Sequence, residues 1–194
     1  KDACGNTSEV FTQVITIQDT TSPTWSTTAA SLNATIECSD ATAIAAAQAQ
    51  FPVAADNCDS DVTNIVKNTG QFVASEECKN AGTYTNTWTV TDACNNTSEV
   101  FTQVITIQDT TAPIIDIQAT NATVQCDGNG NAEALDAWLA SNGGASASDA
   151  CSEVTWSNNF TALSDLCGNT GSATVTFTAT DDCGNSSTSS AKFT

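Results

Sequence analysis

One stretch of twenty residues occurs twice in this chain and constrains its fold more than any other feature. Residues 2–21 read DACGNTSEVFTQVITIQDTT, and residues 92–111 repeat them with the single change of Gly5 to Asn95. A looser third copy, DCGNSSTSSAKFT, begins at Asp182. Self-similarity at a period of about 90 residues is typical of an array of domains. The chain therefore reads as a window from a longer repetitive polymer.

The repeat spacing predicts three parts. Residues 1–20 are expected to be the C-terminal strand of a preceding repeat, residues 21–110 a first full repeat, and residues 111–194 a second repeat with a truncated last strand. The pattern Asp-Thr-Thr-x-Pro marks both junctions, at 19–23 and 109–113. Because this junction leaves no room for a flexible spacer, we predict a semi-rigid succession of domains.

Alternating side chains predict the secondary structure. Residues 84–90 and 173–179 place large, mostly apolar side chains on one face and threonines on the other, which is typical of antiparallel strands with one wet face. Residues 41–50, after Ser39 or Asp40, and residues 131–141 have helical composition. We therefore predict an all-β fold of tandem immunoglobulin-like β-sandwich repeats, each with one short inserted helix and two disulfides.

The charge of the chain excludes several functions. It carries 22 acidic residues against four lysines and no arginine, for a net charge of −18, so it lacks the cations that nucleic acid or an acidic membrane surface requires. It also lacks histidine, the commonest general base. The pairs Asp181-Asp182 and Glu76-Glu77 are adjacent, so on a strand they face opposite sides and cannot flank one bond. We predict that the protein is not an enzyme and needs no cofactor.

The chain has nine cysteines: Cys4 stands alone, and the other eight fall into two sets of four. Even sets that recur in each repeat of a chain without histidine indicate disulfides and an extracellular location. Four cysteines allow three connectivities, and the expected strand topology favours one of them in each repeat. The favoured pairs are Cys58 with Cys94, Cys38 with Cys78, Cys151 with Cys183, and Cys126 with Cys167.

Aspartates at the repeat junctions are candidate Ca²⁺ ligands. Asp92 and Asp181 end the penultimate strands, and Asp19 and Asp109 lie in the junctions, so the same acidic set recurs in each repeat. Solvated turn aspartates are the alternative, because aspartate accepts hydrogen bonds from its own backbone in turns. Residues 127–131 copy only the first half of an EF-hand loop, and we interpret them as a turn and helix cap.

Four runs carry a family resemblance that extends over nearly the whole chain: TDACNNTS, DTTAP, WLASNGGASASDACSEVTWSNNF and CGNTGSATVTFTATDDCGNSS. They resemble the hyalin-repeat-like domains of large secreted surface proteins of Bacteroidota, including gliding-motility adhesins. The resemblance implies an immunoglobulin-like sandwich, dedicated secretion and a place in an adhesive stalk or filament. It also implies O-glycosylation at Asp-Ser/Thr motifs, for which Thr20 and Thr110 are candidates; simple junction threonines are the alternative.

These observations predict a structural segment of a repetitive cell-surface adhesin, which spaces or polymerises without catalysis. Its expected partners are neighbouring repeats of the same protein, and other copies if it forms a fibre. The alternative is a ligand-binding adhesin module, for which Trp25 and Trp156 are the candidate glycan platforms outside the core patterns. A further alternative is a filament in which the strand at 7–18 completes the sheet of a neighbour.

Overall fold

The computed structural model describes residues 1–128, 131–165 and 170–194, which form mainly short strands. The first repeat contains β1 (Thr24–Trp25), β2 (Ala34–Glu37), α1 (Ala41–Gln48), β3 (Ala54–Ala55), β4 (Ile65–Asn68), β5 (Val73–Ala74), β6 (Gly82–Val90) and β7 (Phe101–Gln108). The second contains β8 (Ile114–Ile117), α2 (Ala132–Ala140), β9 (Ser146–Ser148), β10 (Thr155–Asn158), β11 (Ser164–Asp165), β12 (Gly171–Thr180) and β13 (Ser186–Phe193). The predicted all-β fold with two short helices is confirmed.

The long strands follow the predicted alternation. Asn86, Trp88 and Val90 of β6 are buried while the threonines between them are half-buried, and β12 buries Val175 and Phe177 in the same way. Side chains of a strand alternate between its two faces, so every second residue enters the core. The sequence pattern therefore identified the inner faces of both strands correctly.

The direction of strand pairing differs from the prediction for one pair of strands. The larger sheet has the order β2-β7-β6-β4, with β5 added to β6, and the second has the order β10-β12-β11, with β13 added to β12. β2 runs parallel to β7, pairing Ala34 with Ile105 and Glu37 with Gln108, whereas the sequence analysis expected antiparallel sheets. Parallel pairing places the C-terminal ends of β2 and β7 side by side, at the junction between the two repeats.

Both helices lie where the composition predicted them. Asp40 caps α1, because its side chain accepts a hydrogen bond from the Ala43 amide at 2.8 Å. Asn131 precedes α2 in the left-handed region (φ 53°), and α2 buries Leu135 and Trp138. Gly143 follows α2 at φ 65°, where an added Cβ would meet the Phe177 ring at 3.0 Å, so this position requires glycine.

The chain divides into two compact units. The first comprises residues 1–27, 52–67 and 88–101, and the second comprises residues 28–51, 68–87 and 102–194. The repeat boundaries predicted from the sequence stay a prediction beside this division.

Aromatic rings organise the core of the first unit. Phe101 contacts Trp25 edge-on, with centroids 5.5 Å apart, and Trp88 with centroids 6.0 Å apart. The indole of Trp25 donates a hydrogen bond to the Glu99 carbonyl at 2.7 Å, and the ammonium of Lys67 lies 5.2 Å from the Trp88 ring centre. Edge-on packing suits aromatic quadrupoles, and it holds β7 against the start of the repeat.

The second unit has two apolar clusters. In one, Trp138 of α2 packs on Phe177 and Phe193, with centroids 5.2 and 5.5 Å apart. In the other, Ala47 of α1 packs with the buried Ile105 and Ile107 of β7. Each inserted helix therefore covers the inner face of a long strand.

Two fully buried amide side chains bind α1 to the sheet. Asn86 donates hydrogen bonds to Gln48 at 2.8 Å and to Gln103 at 3.0 Å. Gln103 in turn donates to the carbonyl of Leu32 at 2.7 Å and to that of Ala47 at 3.1 Å. Buried amides are stable only when their donors and acceptors are paired, and this network meets that condition for both donors.

Residues 9–18 have the same sequence as residues 99–108 but a different structure. They form no strand, and their apolar side chains are open to solvent: Phe11 is 91% exposed, whereas its counterpart Phe101 is 4% exposed. The predicted role of residues 1–20 as a strand of a preceding repeat stays a prediction. An apolar strand sequence without a partner is what such a role requires.

The disulfide pairing predicted from the sequence is wrong where the structure shows bonds. The bonds join Cys38 to Cys151 and Cys78 to Cys183, with Cα atoms 5.9 and 4.8 Å apart, so each connects the first repeat to the second. The pairs Cys38–Cys78 and Cys151–Cys183 are therefore absent. The cause is the parallel β2–β7 pair, which carries Cys38 to the junction, where its amide donates to the Gln108 carbonyl at 2.8 Å.

The two other predicted pairs differ in outcome. Cys58 and Cys94 are separate, exposed thiols, and so is the single Cys4. The partner proposed for the exposed Cys126, Cys167, lies outside the described residues. The prediction failed because it assumed that each disulfide joins two cysteines of one repeat. In the structure, Cys38 and Cys78 of the first repeat are bonded to Cys151 and Cys183 of the second.

Candidate functional site

The pattern Asp-x-Cys-x-Asn occurs four times in the sequence, and three of these five-residue loops, at Asp2, Asp92 and Asp181, lie within the described residues. In the loop that begins at Asp92, Oδ1 of the aspartate accepts hydrogen bonds from the amides of Cys94 and Asn96 at 2.9 and 2.8 Å, and Oδ2 accepts from the Asn96 side chain at 2.7 Å. The loop at Asp181 has the same three bonds, at 2.9, 2.8 and 2.8 Å. The aspartate therefore fixes the hairpin that carries each cysteine.

The loop at Asp2 repeats these bonds, and the fourth position of the loop explains the one difference between the long repeats. Gly5, Asn95 and Gly184 have φ angles of 88°, 70° and 90°. Glycine adopts this left-handed region without strain, and asparagine is among the few other residues that tolerate it. The replacement of Gly5 by Asn95 thus keeps the loop geometry.

These loops place aspartates into a first acidic cluster, in the first unit. Carboxylate oxygens of Asp19, Asp56 and Asp92 all lie within 4.8 Å of one another. Asp56 accepts hydrogen bonds through Oδ1 from the amides of Cys58 and Asp59 at 2.9 and 3.0 Å, while its Oδ2 is buried without a partner.

A second acidic cluster lies in the second unit. Carboxylate oxygens of Asp109, Asp149 and Asp181 also lie within 4.8 Å of one another. Asp149 accepts from the amides of Cys151 and Ser152 at 2.8 and 3.0 Å. Asp109 is only 7% exposed; its Oδ1 accepts from the Thr111 amide at 3.2 Å, and its Oδ2 is buried without a partner.

The electrostatics of the two clusters follow from these contacts. Burial, followed by the charges of Asp149, Asp181 and Glu37, raises the pKa of Asp109 above its ordinary value, and the Thr111 amide opposes the rise. Burial also acts to raise the pKa of Asp92. There the hydrogen bonds from Asn96, Cys94 and Asn95 outweigh it, so the pKa lies below the ordinary value.

The structure brings together the four predicted Ca²⁺ candidates as two pairs, Asp19 with Asp92 and Asp109 with Asp181. The sequence analysis missed the third member of each cluster, Asp56 and Asp149. A signal was present, because Asp56 and Asp149 stand two residues before a cysteine, as Asp92 and Asp181 do. In all four, the carboxylate accepts a hydrogen bond from the amide of that cysteine.

The half EF-hand sequence has the structure of a turn in its described part. Asn131 donates from its backbone amide to Asp127 Oδ1 at 3.0 Å and from its side chain to the Gln125 carbonyl at 2.8 Å. Asn129 lies outside the described residues. The interpretation as a turn before α2 therefore agrees with the geometry of Asp127 and Asn131, whereas the predicted helix cap is not made by Asn131, whose side chain forms no cap hydrogen bond to α2.

Two of the free cysteines of the first unit, Cys58 and Cys94, adjoin its acidic cluster. Although the Cys58 side chain is exposed, partial desolvation raises the pKa of its thiol, and the charges of Asp19, Asp56, Cys94 and Asp92 raise it further. A thiol with a raised pKa forms less of the reactive thiolate near neutral pH. Cys58 thus lies beside a group of carboxylates whose charges disfavour its thiolate.

The candidate glycosylation sites differ in their surroundings. Thr20 and Thr110 are both exposed. The Thr110 hydroxyl donates to Glu37 Oε1 at 2.7 Å, and together with the Gln108 side chain and the Thr110 amide it lowers the pKa of Glu37. A sugar on Thr110 would remove that donor, so Thr20 is the better-suited of the two candidates.

The four tryptophans do not form an open aromatic platform. Trp88 and Trp138 are 1% and 9% exposed, and Trp25 and Trp156 are half-buried. Stacking on a sugar requires an exposed ring face. The tryptophans therefore give little support to the glycan-binding alternative.

Comparison with known proteins gives one family match. Residues 26–107 match the model of the HYR-like domain with 4 cysteines, and these residues contain Cys38, Cys58, Cys78 and Cys94. The match supports an HYR-like, adhesion-type module over these residues. No curated protein matches the chain significantly.

Two solved structures are similar at low identity. Drosophila N-cadherin EC1-4 is 11% identical, with a TM-score of 0.33, over 89% of this chain and 49% of that one, so the chain spans about half the cadherin fragment. A chimeric titin Z1Z2-Z1Z2 tandem carrying a fibronectin GRGDS peptide is 12% identical, with a TM-score of 0.22, over 88% of this chain and 97% of that one.

Among the described residues, no helix has the length and apolar character needed to cross a bilayer. The cysteine-rich HYR-like segment, with its disulfides, fits an extracellular domain.

Proposed function

We propose that this chain is a structural segment of a repetitive cell-surface adhesin, which spaces or joins adhesive parts without catalysis. The observation that carries the proposal is the pair of disulfides Cys38–Cys151 and Cys78–Cys183. Each joins a cysteine of the first sequence repeat to a cysteine of the second. Two covalent links in addition to the backbone suit a segment that transmits force.

The length of chain enclosed by these bonds gives the proposal a mechanical meaning. Cys38 and Cys151 are 113 residues apart in sequence, which corresponds to roughly 400 Å of fully extended chain. While the bond is intact, a force applied at the two termini cannot extend that length. The disulfides would therefore limit how far the segment lengthens if its sheets unfold under load.

The free thiols of the first unit extend the same arrangement to a neighbour. Cys58 and Cys94 occupy the positions in the first repeat that Cys151 and Cys183 occupy in the second. We propose that they form disulfides with the cysteines that correspond to Cys38 and Cys78 in another repeat, in the same protein or in a second copy. Each new bond releases two protons and two electrons, which an extracellular disulfide oxidant, itself reduced to a dithiol, or molecular oxygen would accept.

A polymerising role has an observation of its own. Residues 9–18 expose Val10, Phe11, Val14, Ile15 and Ile17, at 75% to 94% of their possible area, although the identical sequence in β7 is a sheet strand. Main-chain pairing with the sheet edge of a neighbouring repeat would bury these side chains. Pairing by this strand and bonding through Cys58 and Cys94 both need another repeat as the partner.

Single-molecule pulling of the full chain tests the mechanical proposal. With the disulfides intact, the contour-length gain on unfolding should be shorter by roughly 400 Å than after reduction, because 113 residues stay enclosed. The Cys38→Ser/Cys78→Ser variant should give the long value without reductant. A Cys58→Ser/Cys94→Ser variant is the matched control and should keep the short value. An equal gain with and without reductant in the wild type would refute the proposal.

A further inference from the structure

The strongest observation outside the proposed mechanical role is the orphaned carboxylate oxygen of Asp109. Its side chain is 7% exposed, and Oδ2 has no hydrogen-bond partner. A buried carboxylate without a partner for its charge is costly, so such groups normally face a cation or a donor. The nearest acidic neighbours are the carboxylates of Asp149 and Asp181, which increase the cost of leaving it unpaired.

Hydrogen bonds from backbone amides fix each of the three carboxylates of this cluster. Asp109 follows β7, Asp149 follows β9 and Asp181 follows β12, and each uses Oδ1 to accept backbone amides of its own turn. One oxygen of each carboxylate is thereby fixed. The other oxygen of Asp109 is free to coordinate an ion, and Asp149 has a second oxygen as well.

We propose that Asp109, Asp149 and Asp181 bind one Ca²⁺ ion. Ca²⁺ binds oxygen ligands at 2.3–2.6 Å, so two ligands on opposite sides of the ion lie about 4.8 Å apart. The carboxylate oxygens of the cluster lie within that distance of one another. The ion would pair with the orphaned oxygen and offset the repulsion among the three charges.

Other metals fit the cluster less well. Zn²⁺ prefers imidazole and thiolate ligands, but the chain has no histidine, and the adjacent Cys38 and Cys151 are joined in a disulfide. Mg²⁺ needs near-ideal octahedral geometry at 2.0–2.1 Å and gives up its water reluctantly. An all-oxygen cluster with this spacing therefore favours Ca²⁺.

The first unit repeats the arrangement independently. Asp19, Asp56 and Asp92 have the same spacing, each Oδ1 accepts amides of its own turn, and Asp56 Oδ2 is buried without a partner. The segment between the first two aspartates differs in length between the clusters, yet the carboxylates meet in both. Asp56 is only half-buried, however, so the proposed site is the cluster of Asp109, Asp149 and Asp181 alone.

Calorimetric titration of the chelator-treated full chain with CaCl₂ tests the proposal. The wild type should bind Ca²⁺ saturably, and the Asp109→Asn variant should bind one ion fewer. Asparagine retains an oxygen for the turn amides, so the turns should persist. Asp136→Asn removes one exposed charge from α2 and is the matched control; it should bind as many ions as the wild type.

The melting temperature with and without Ca²⁺ supplies a second readout, which a merely structural role of Asp109 would not give. Without Ca²⁺, Asp109→Asn should melt at the same temperature as the wild type or higher, because it removes a buried unpaired charge. With Ca²⁺, the order should reverse. The same number of ions bound by Asp109→Asn as by the wild type, equal loss in Asp136→Asn, binding of Mg²⁺ as tight as that of Ca²⁺, or no saturable binding by the wild type would each overturn the proposal.

Discussion

The side chain of Asn185 donates a hydrogen bond to the main-chain carbonyl of Asp109 at 3.1 Å, across 76 residues of sequence. Asn185 also donates to Asp181 Oδ2 at 2.8 Å. One amide group therefore holds the hairpin loop of the second repeat against the end of β7. In the first unit, Asn96 contacts the carbonyl of Asp19 at 3.3 Å in the same way.

Replacing Asn185 with alanine should destabilise the protein by about 1–3 kcal/mol, because it leaves the buried Asp181 carboxylate and the Asp109 carbonyl without their donor. Asn6→Ala is the matched control. Asn6 makes the same bond to Asp2 in an exposed loop, so its loss should cost less than about 0.5 kcal/mol. Urea denaturation measures both, and equal costs would contradict the role of the Asp109 contact.

The disulfide pairing can be read from a tryptic digest. Trypsin cuts after Lys67 and Lys79, which places Cys38 in one peptide, Cys78 in a second, and both Cys151 and Cys183 in a third. In a Cys58→Ser variant, we expect all three peptides to remain joined before reduction. Pairing within each repeat would instead release the peptide 80–192. Mass spectrometry of the unreduced digest distinguishes the two outcomes.

The thiol of Cys58 should react faster when a neighbouring charge is removed. Asp56 is among the groups that raise its pKa, and the thiolate is the reactive form. Asp56→Asn should therefore increase the rate of iodoacetamide labelling of Cys58 at pH 8, while the control Asp136→Asn should not. Peptide mass spectrometry over a time course gives both rates, and an unchanged rate in Asp56→Asn would contradict the electrostatic cause.

Glu37 should make part of the stability depend on pH. The Thr110 hydroxyl, the Gln108 side chain and the Thr110 amide lower its pKa in the folded state. A lowered folded-state pKa means that the unfolded chain takes up a proton first, so this contribution is present above about pH 4.3 and is lost as the pH falls through the folded-state value. The gap in urea midpoint between wild type and Glu37→Gln should shrink on acidification, and a constant gap would contradict this.

One substitution made at two identical positions of the sequence should have two different effects. Phe101 is 4% exposed and packs on Trp25 and Trp88, so Phe101→Ala should cost about 3–5 kcal/mol. Phe11→Ala, at a side chain that is 91% exposed, should change the stability by less than about 0.5 kcal/mol. Comparable losses at both positions would mean that residues 9–18 are packed in solution.

The elements of the fold were predictable where a local pattern determines them. Alternation identified the buried faces of β6 and β12, and capping with alanine-rich composition located α1 and α2 to within three residues. These features depend on neighbours in the sequence. They need no knowledge of how distant segments meet.

Long-range pairing was not predictable in the same way. Nothing local in Ala34–Glu37 indicates that β2 joins β7 in parallel, and that choice moved Cys38 to the junction and changed both disulfides. Asp149 was missed because it enters the cluster only when β9 brings its following turn beside β7. Asp56 and Asp149 were visible only as aspartates placed two residues before a cysteine.

Residues 9–18 and 99–108 are chemically identical, so one chain contains two equivalent candidates for a single position in the sheet. Side-chain preference cannot choose between them, and the loops at Asp2 and Asp92 that precede them have the same hydrogen bonds. The difference is that residues 99–108 follow β6, the strand beside which β7 lies in the sheet. A duplicated strand of this kind makes exchange between molecules almost neutral in contact energy. Concentration, tethering and the order of synthesis would then determine whether such chains stay single or form assemblies.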